Sequence, residues 1–135
     1  MGGTGQRLKV LLDSNALLWW VLGSARLSPV AATILSRPET ITLISAVSGH
    51  EIATKYRLGK LAVPAKLAEQ LDQIIVDKGW QPLPLSVAHA QLAGRLPGAH
   101  KDPFDRMLAA QSLMEDVPIV TNDAEFAGFG AKTIW

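Results

Sequence analysis

Short apolar runs recur along the chain at Leu8–Leu12, Ile41–Ile44, Gln81–Leu85, Ile119–Thr121 and Lys132–Trp135, and they read as strands. The segments between them carry helical spacing. Ser28–Pro29 is an N-cap followed by a first helical position, leading a helix to about Ser36. Ser45 can cap a second helix that runs to about Leu58, where Gly59 supplies the stop. Pro64 opens a third, "PAKLAEQLDQIIVDKG", read as one continuous helix with Leu67, Leu71, Ile74 and Ile75 on one face and Gly79 at its end. Ser86 starts a shorter helix to about Leu92, and Asp102–Pro103 begins a well-marked one to about Glu115. Strands alternating with helices predict an α/β fold: a three-layer sandwich with a mostly parallel central sheet flanked by helices.

In such folds ligands bind outside the carboxyl ends of the strands. The stretch "RLKVLLDSNALLWW" therefore matters. Its apolar run stops at Asp13, and Ser14–Asn15 lead into a second apolar run that reads as a helix. Asp123 follows "PIVTN" in the same manner. Two strand-end acids far apart in sequence can meet at one edge of one sheet.

Composition narrows the field. The chain has 135 residues, 48% hydrophobic and 19% charged, which suits one packed domain and argues against disorder. We expect residues 1–6 to be a flexible leader and residues 7–135 a single domain, without internal repeats. The leader's glycines lack the Lys-Ser/Thr of a phosphate-binding loop. The longest apolar stretch, Ala16–Gly23, is too short to span a bilayer, so the expectation is a cytoplasmic protein with no membrane partner. There are no cysteines, which excludes disulfides, thiol nucleophiles and cysteine-ligated zinc. The net charge of +1, from 13 basic and 12 acidic residues, is no footprint of nonspecific nucleic-acid binding. If several acids share a pocket, however, the remaining surface is basic.

Each acid has both a plain structural reading and a chemical one. Asp105, in "HKDPFDRMLAAQS", heads an apolar stripe of Leu108, Ala109, Ser112 and Leu113. That placement is costly unless something satisfies the carboxylate, although a first-turn acid is also favoured by the helix dipole. Asp102 before Pro103 is fully explained as an N-cap. Glu51, in "SGHEIATKYRLGKL", has Lys55 four residues on, the ordinary spacing of an exposed helical pair. Asp123 is either a turn residue or the cap of a short helix through Phe126, and Thr121 beside it could lend a hydroxyl to a metal's water shell. His50, His89 and His100 form no metal-binding spacing, and Trp19 and Trp20 sit in an apolar helix, as core or subunit contact. Taken together, three Asp and one Glu at strand ends and helix starts suggest a carboxylate pocket that a hard divalent cation neutralises, Mg²⁺ or Mn²⁺ rather than zinc. Phosphodiester hydrolysis is the chemistry most often built on such a pocket.

"LLDSNALLWW", "ISAVSGHEIATKYRLGKL", "HKDPFDRMLAAQS" and "VTNDAEF", in this order and spacing, resemble the PIN-domain family, and within it the VapC-type toxins of bacterial toxin–antitoxin pairs. The resemblance runs from Leu8 to Trp135. It places the family's acidic set on Asp13, Glu51, Asp105 and Asp123, with Asn15 and Thr121 at auxiliary polar positions. It implies a Mg²⁺- or Mn²⁺-dependent endoribonuclease, usually a homodimer, held inactive by an antitoxin whose C-terminal segment fills the groove. Two positions depart from close relatives: His50 stands where an aromatic, usually Trp, precedes the Glu, and Asn15 stands where His is frequent. On this reading Asp13, Asp105 and Asp123 hold the ion directly or through water, and Glu51 binds a second ion or positions the attacking water. Arg106 points about 100° away from Asp105 on a helix and is free to reach an RNA phosphate, with Lys55, Lys60 and Lys101 as further backbone contacts.

Two rival readings remain. One is an Asp-based phosphotransfer domain, for which "DSNAL" lacks the second acid. The other is a catalytically silent PIN-like module that binds RNA or protein.

Overall fold

The computed structural model describes residues 7–135, and the expected leader at residues 1–6 lies outside the described residues. The first strand, β1 (Lys9–Leu12), is the centre of a five-stranded sheet in the order β3-β2-β1-β4-β5. Its neighbours are β2 (Ile41–Ser45), β3 (Gln81–Leu83), β4 (Ile119–Val120) and β5 (Thr133–Ile134). Every pairing is parallel, with Leu11 opposite both Leu43 and Ile119. A parallel sheet is covered on both faces, which is why its strands read as unbroken apolar runs instead of alternating ones.

The pleat divides those runs between two cores. Val10, Leu12, Ile44 and Val120 face one layer, built from α1 (Ser14–Leu22), α2 (Pro29–Ser36), α4 (Ala65–Glu69) and α5 (Leu71–Lys78). Leu11, Leu43 and Ile119 face the other, built from α6 (Val87–Arg95), α7 (Pro103–Glu115) and Phe126 of α8 (Glu125–Gly128). The remaining helix, α3 (Ala46–Arg57), leaves the carboxyl end of β2 and lends Ile52 to the first core and Val47 to the second. Trp19 packs edge-on against Trp135, ring centroids 5.7 Å apart, so this tryptophan is a packing residue. Among the described residues no helix is long and apolar enough to cross a membrane.

The expected caps form. Ser28, Ser45, Ser86 and Asp102 each accept a hydrogen bond from a backbone amide of the helix they precede. The continuous helix expected from Pro64 does not form, because Gln70 (φ −133°, ψ 38°) separates α4 from α5. The two halves answer to different neighbours, α4 to α3 and α5 to β3, and one straight axis cannot follow both. Neither Pro nor Gly marks the break, and the apolar spacing carries through it. The strand expected over Gln81–Leu85 stops at Leu83. It lies at the sheet's edge, where Pro82, which has no amide proton, is tolerated.

One buried polar residue ties the layers together. Gln111 of α7 is fully buried; its amide oxygen accepts from the Ser45 hydroxyl at 2.5 Å and its nitrogen donates to the Pro84 carbonyl at 3.2 Å. Ser45 in turn caps α3. Gln111→Leu is therefore expected to destabilise the fold by about 2 kcal/mol, because it strands a buried hydroxyl and a carbonyl while preserving volume. Urea unfolding would check this, and an unchanged midpoint would show that the bridge contributes nothing.

Candidate active site

The chain runs from β1 outward to β2 and β3, then returns past β1 to β4 and β5. The crevice at the carboxyl ends of β1 and β4 is therefore the topological switch point of the sheet. Asp13 and Asp123 flank it. Asp13 is extended (φ −73°, ψ 171°), and its Oδ1 accepts from the Ala16 amide at 2.7 Å. It caps α1 and faces the crevice at once, so the two positions do not exclude each other. Burial raises its pKa to about 6; the Thr121 hydroxyl and the Ala16 amide pull the other way, and the charges of Asp105 and Asp123 push up again.

Three further elements supply the rest of the cleft. On α3, Glu51 is buried, with the Ser14 hydroxyl donating to Oε1 at 2.6 Å and the Lys55 ammonium donating to Oε2 at 2.6 Å. At the start of α7, Asp102 accepts from the Phe104 amide at 2.9 Å, and Asp105 in the first turn pairs its Oδ2 with His100 Nε2 at 2.9 Å. Burial raises the Asp105 pKa, which His100 opposes and Asp102 and Glu51 reinforce. After β4, the Asp123 amide donates to Thr121 Oγ1 at 3.0 Å, and its Oδ1 accepts from the Glu125 amide at 2.9 Å. The result is a cleft of about 120 Å³ lined by Asp13, Ser14, Asn15, Glu51, Lys55, Asp102, Asp105 and Asp123. The four acids that the sequence singles out meet in one place, with Asn15 and Lys55 among them.

The sequence pattern of the PIN domain family matches residues 10–132. The chain belongs to the PIN domain family. No curated protein matches it in sequence. Among solved structures, VapBC2 from Rickettsia felis, bound to a DNA fragment from its promoter, has a TM-score of 0.67 at 15% identity over 94% of this chain and 98% of that one. VapBC-1 from nontypeable Haemophilus influenzae has a TM-score of 0.67 at 12% identity, over 94% and 97% of the two chains. The PIN domain endonuclease Utp24 has a TM-score of 0.51 at 15% identity, covering 94% and 85%. At these identities the likeness is one of fold.

Within this PIN domain the expectation for Arg106 needs correcting. Its guanidinium donates from Nε to the Ala93 carbonyl and from Nη1 to the His100 carbonyl, both at 2.9 Å, and from Nη2 to Leu96. It also stands 5.5 Å from the centre of the Phe129 ring. Directed at three carbonyls, the side chain fastens the α6–α7 connection and is not disposed toward an RNA phosphate. Lys60 and Lys101 are exposed and line no part of the cleft. His50, which replaces the usual aromatic before the Glu, packs on Phe104 with ring centroids 5.6 Å apart, so the local packing is filled.

Other residues of the site escape sequence reasoning. Asp102 lines the cleft while capping α7. His100 pairs with Asp105 from a loop position that no spacing rule marks, and Ser14 reads only as a helix start. His89, by contrast, is structural: Nδ1 accepts from the Ser86 amide, and Nε2 pairs with Glu115.

The PIN cleft suits a hard cation, since its donors are carboxylate, hydroxyl and amide oxygens without thiols. Among the described residues no three acidic or histidine side chains stand together as a complete metal cage. Mg²⁺ fits such a site, because it typically takes one or two carboxylates and completes its shell with water and phosphate oxygens.

Proposed function

We propose that this PIN domain is a divalent-metal-dependent endoribonuclease and the toxin of a toxin–antitoxin pair. The observation that carries the reading is the convergence of Asp13, Glu51, Asp105 and Asp123, from β1, α3, α7 and the end of β4, on one cleft at the switch point. Asp13, Asp105 and Asp123 would hold Mg²⁺ or Mn²⁺ directly or through water, and the ion when bound supplies the Lewis acidity that phosphodiester hydrolysis requires. Thr121 holds Asp13, His100 holds Asp105, and Asn15 offers its amide at the exposed rim. Lys60 and Lys101 are candidates for contact with the RNA backbone beyond the cleft. The toxin assignment is supported by the company the fold keeps: VapBC2 and VapBC-1, and a toxin–antitoxin complex from Klebsiella pneumoniae. On this reading an antitoxin segment fills the groove, the protein is a homodimer, and it works in the cytoplasm. A receiver-like phosphotransfer domain is disfavoured by the sheet order, which departs from the flavodoxin-like 2-1-3-4-5 arrangement.

The test is RNA cleavage by purified protein in Mg²⁺, Mn²⁺ and EDTA, beside Asp105→Asn. Cleavage should need metal and fall at least about a hundredfold in the variant. Equal cleavage by the variant would reject the site. Mn²⁺ at a hundred times its dissociation constant should also stabilise the fold by about 2.7 kcal/mol, and a melting temperature indifferent to metal would favour the silent binding module. The ion must displace the Asp13 proton, so its apparent affinity should weaken as pH falls below about 6, by about tenfold per unit.

A further inference from the structure

Glu51 is the acid of the set whose two oxygens are both engaged by side chains. Ser14, itself 3.0 Å from the Ser48 hydroxyl, holds Oε1, and Lys55 holds Oε2. An ordinary helical Glu–Lys pair is loose, solvated and worth little. This one differs because its carboxylate is buried, with a side chain 8% exposed, and fixed from a second helix, whereas the lysine is 46% exposed and opens onto the cleft. An ammonium has three donors, and Glu51 takes one of them.

Resting on the nuclease reading, we infer that the Lys55 ammonium is the permanent second cation of this site: it occupies the place at Glu51 that a second divalent ion would take and offers its remaining protons to the substrate phosphate. Glu51 is then a positioning residue and not a metal ligand. The cleft needs such a charge, because Asp102, Asp105 and Glu51 all line it with Lys55. A lysine side chain is an ammonium at neutral pH, so the cleft holds this charge as part of the chain itself. No covalent step is assigned to Lys55; it neutralises charge.

The experiment is Mn²⁺ titration by calorimetry on wild type, Lys55→Met and Lys55→Arg, with RNA cleavage measured on each. Lys55→Met leaves Glu51 a buried carboxylate held only by Ser14, which raises its demand for a cation. Wild type should bind one Mn²⁺ and Lys55→Met two. In Lys55→Met, kcat should fall at least tenfold and recover partly at high Mn²⁺. Lys55→Arg keeps a charge at the position and should bind one Mn²⁺, a control for the integrity of the fold. Two ions in wild type, or one in both wild type and Lys55→Met, would overturn the inference. The nuclease reading fails separately: one ion in wild type and two in Lys55→Met, with no RNA cleaved by either, would leave Lys55 as the second cation of a binding module.

Discussion

Asp13→Asn is expected to melt above the wild type at pH 7.5 in EDTA and to cleave no RNA. The folded-state pKa of Asp13, about 6, lies above the ordinary 3.8, so folding favours the neutral carboxyl. The penalty for carrying the charge is absent below about pH 3.8, grows as pH rises, and is complete above about 6. A shift of that size corresponds to about 3 kcal/mol, an upper bound for what the substitution can return. Asn keeps the Oδ1 acceptor that caps α1 at the Ala16 amide, and its new NH₂ faces the Thr121 hydroxyl, which can accept. The gain should therefore appear at pH 7.5 and shrink toward pH 4. With Mn²⁺ present the order reverses, since the wild type gains ligand stabilisation and the variant does not. Urea unfolding at the two pH values, with and without metal, measures all of this. A variant no more stable than wild type at pH 7.5 would mean that Asp13 is not strained. Undiminished stabilisation by Mn²⁺ would remove it from the ligand set.

Such strain is a common mark of sites that hold charge against burial. It also shows which parts of the molecule the sequence could disclose. Caps are local, so Ser28, Ser45, Ser86 and Asp102 were readable from a polar residue ahead of an apolar stripe. Strand-end acids were readable because a parallel sheet gathers its carboxyl ends. What remained hidden depends on tertiary neighbours. The break at Gln70 follows from α4 and α5 meeting different elements. The Glu51–Lys55 spacing was visible, but not that Ser14, 37 positions away, fixes the carboxylate from the other side. For Asp102 and Asp13 the capping reading and the site reading did not compete. A helix N-terminus both wants an acid and, in this fold, points it at the cleft.

Arg106 tests the same lesson from the opposite side. Helical geometry turns it away from Asp105, yet the last turn of α6 and the loop after it present their carbonyls, not solvent, to the guanidinium. Arg106→Ala should cost about 3 kcal/mol, since it leaves the Ala93, Leu96 and His100 carbonyls without their donor. Lys should rescue little, because a single ammonium cannot serve three carbonyls as a planar fork does. The same loop carries His100 to Asp105, so freeing it should weaken Mn²⁺ binding although Arg106 never touches the cleft. An RNA-phosphate contact makes the opposite forecast: unchanged unfolding, weaker RNA binding and a shallower salt dependence. Unfolding midpoints, Mn²⁺ affinity and the salt slope of RNA binding for Arg106→Ala and Arg106→Lys separate the two. A stable Arg106→Ala with a reduced salt slope would return this arginine to the RNA surface. A destabilised variant whose salt slope matches wild type would place it where the structure does, as the clasp that holds the Asp105 end of α7 in position.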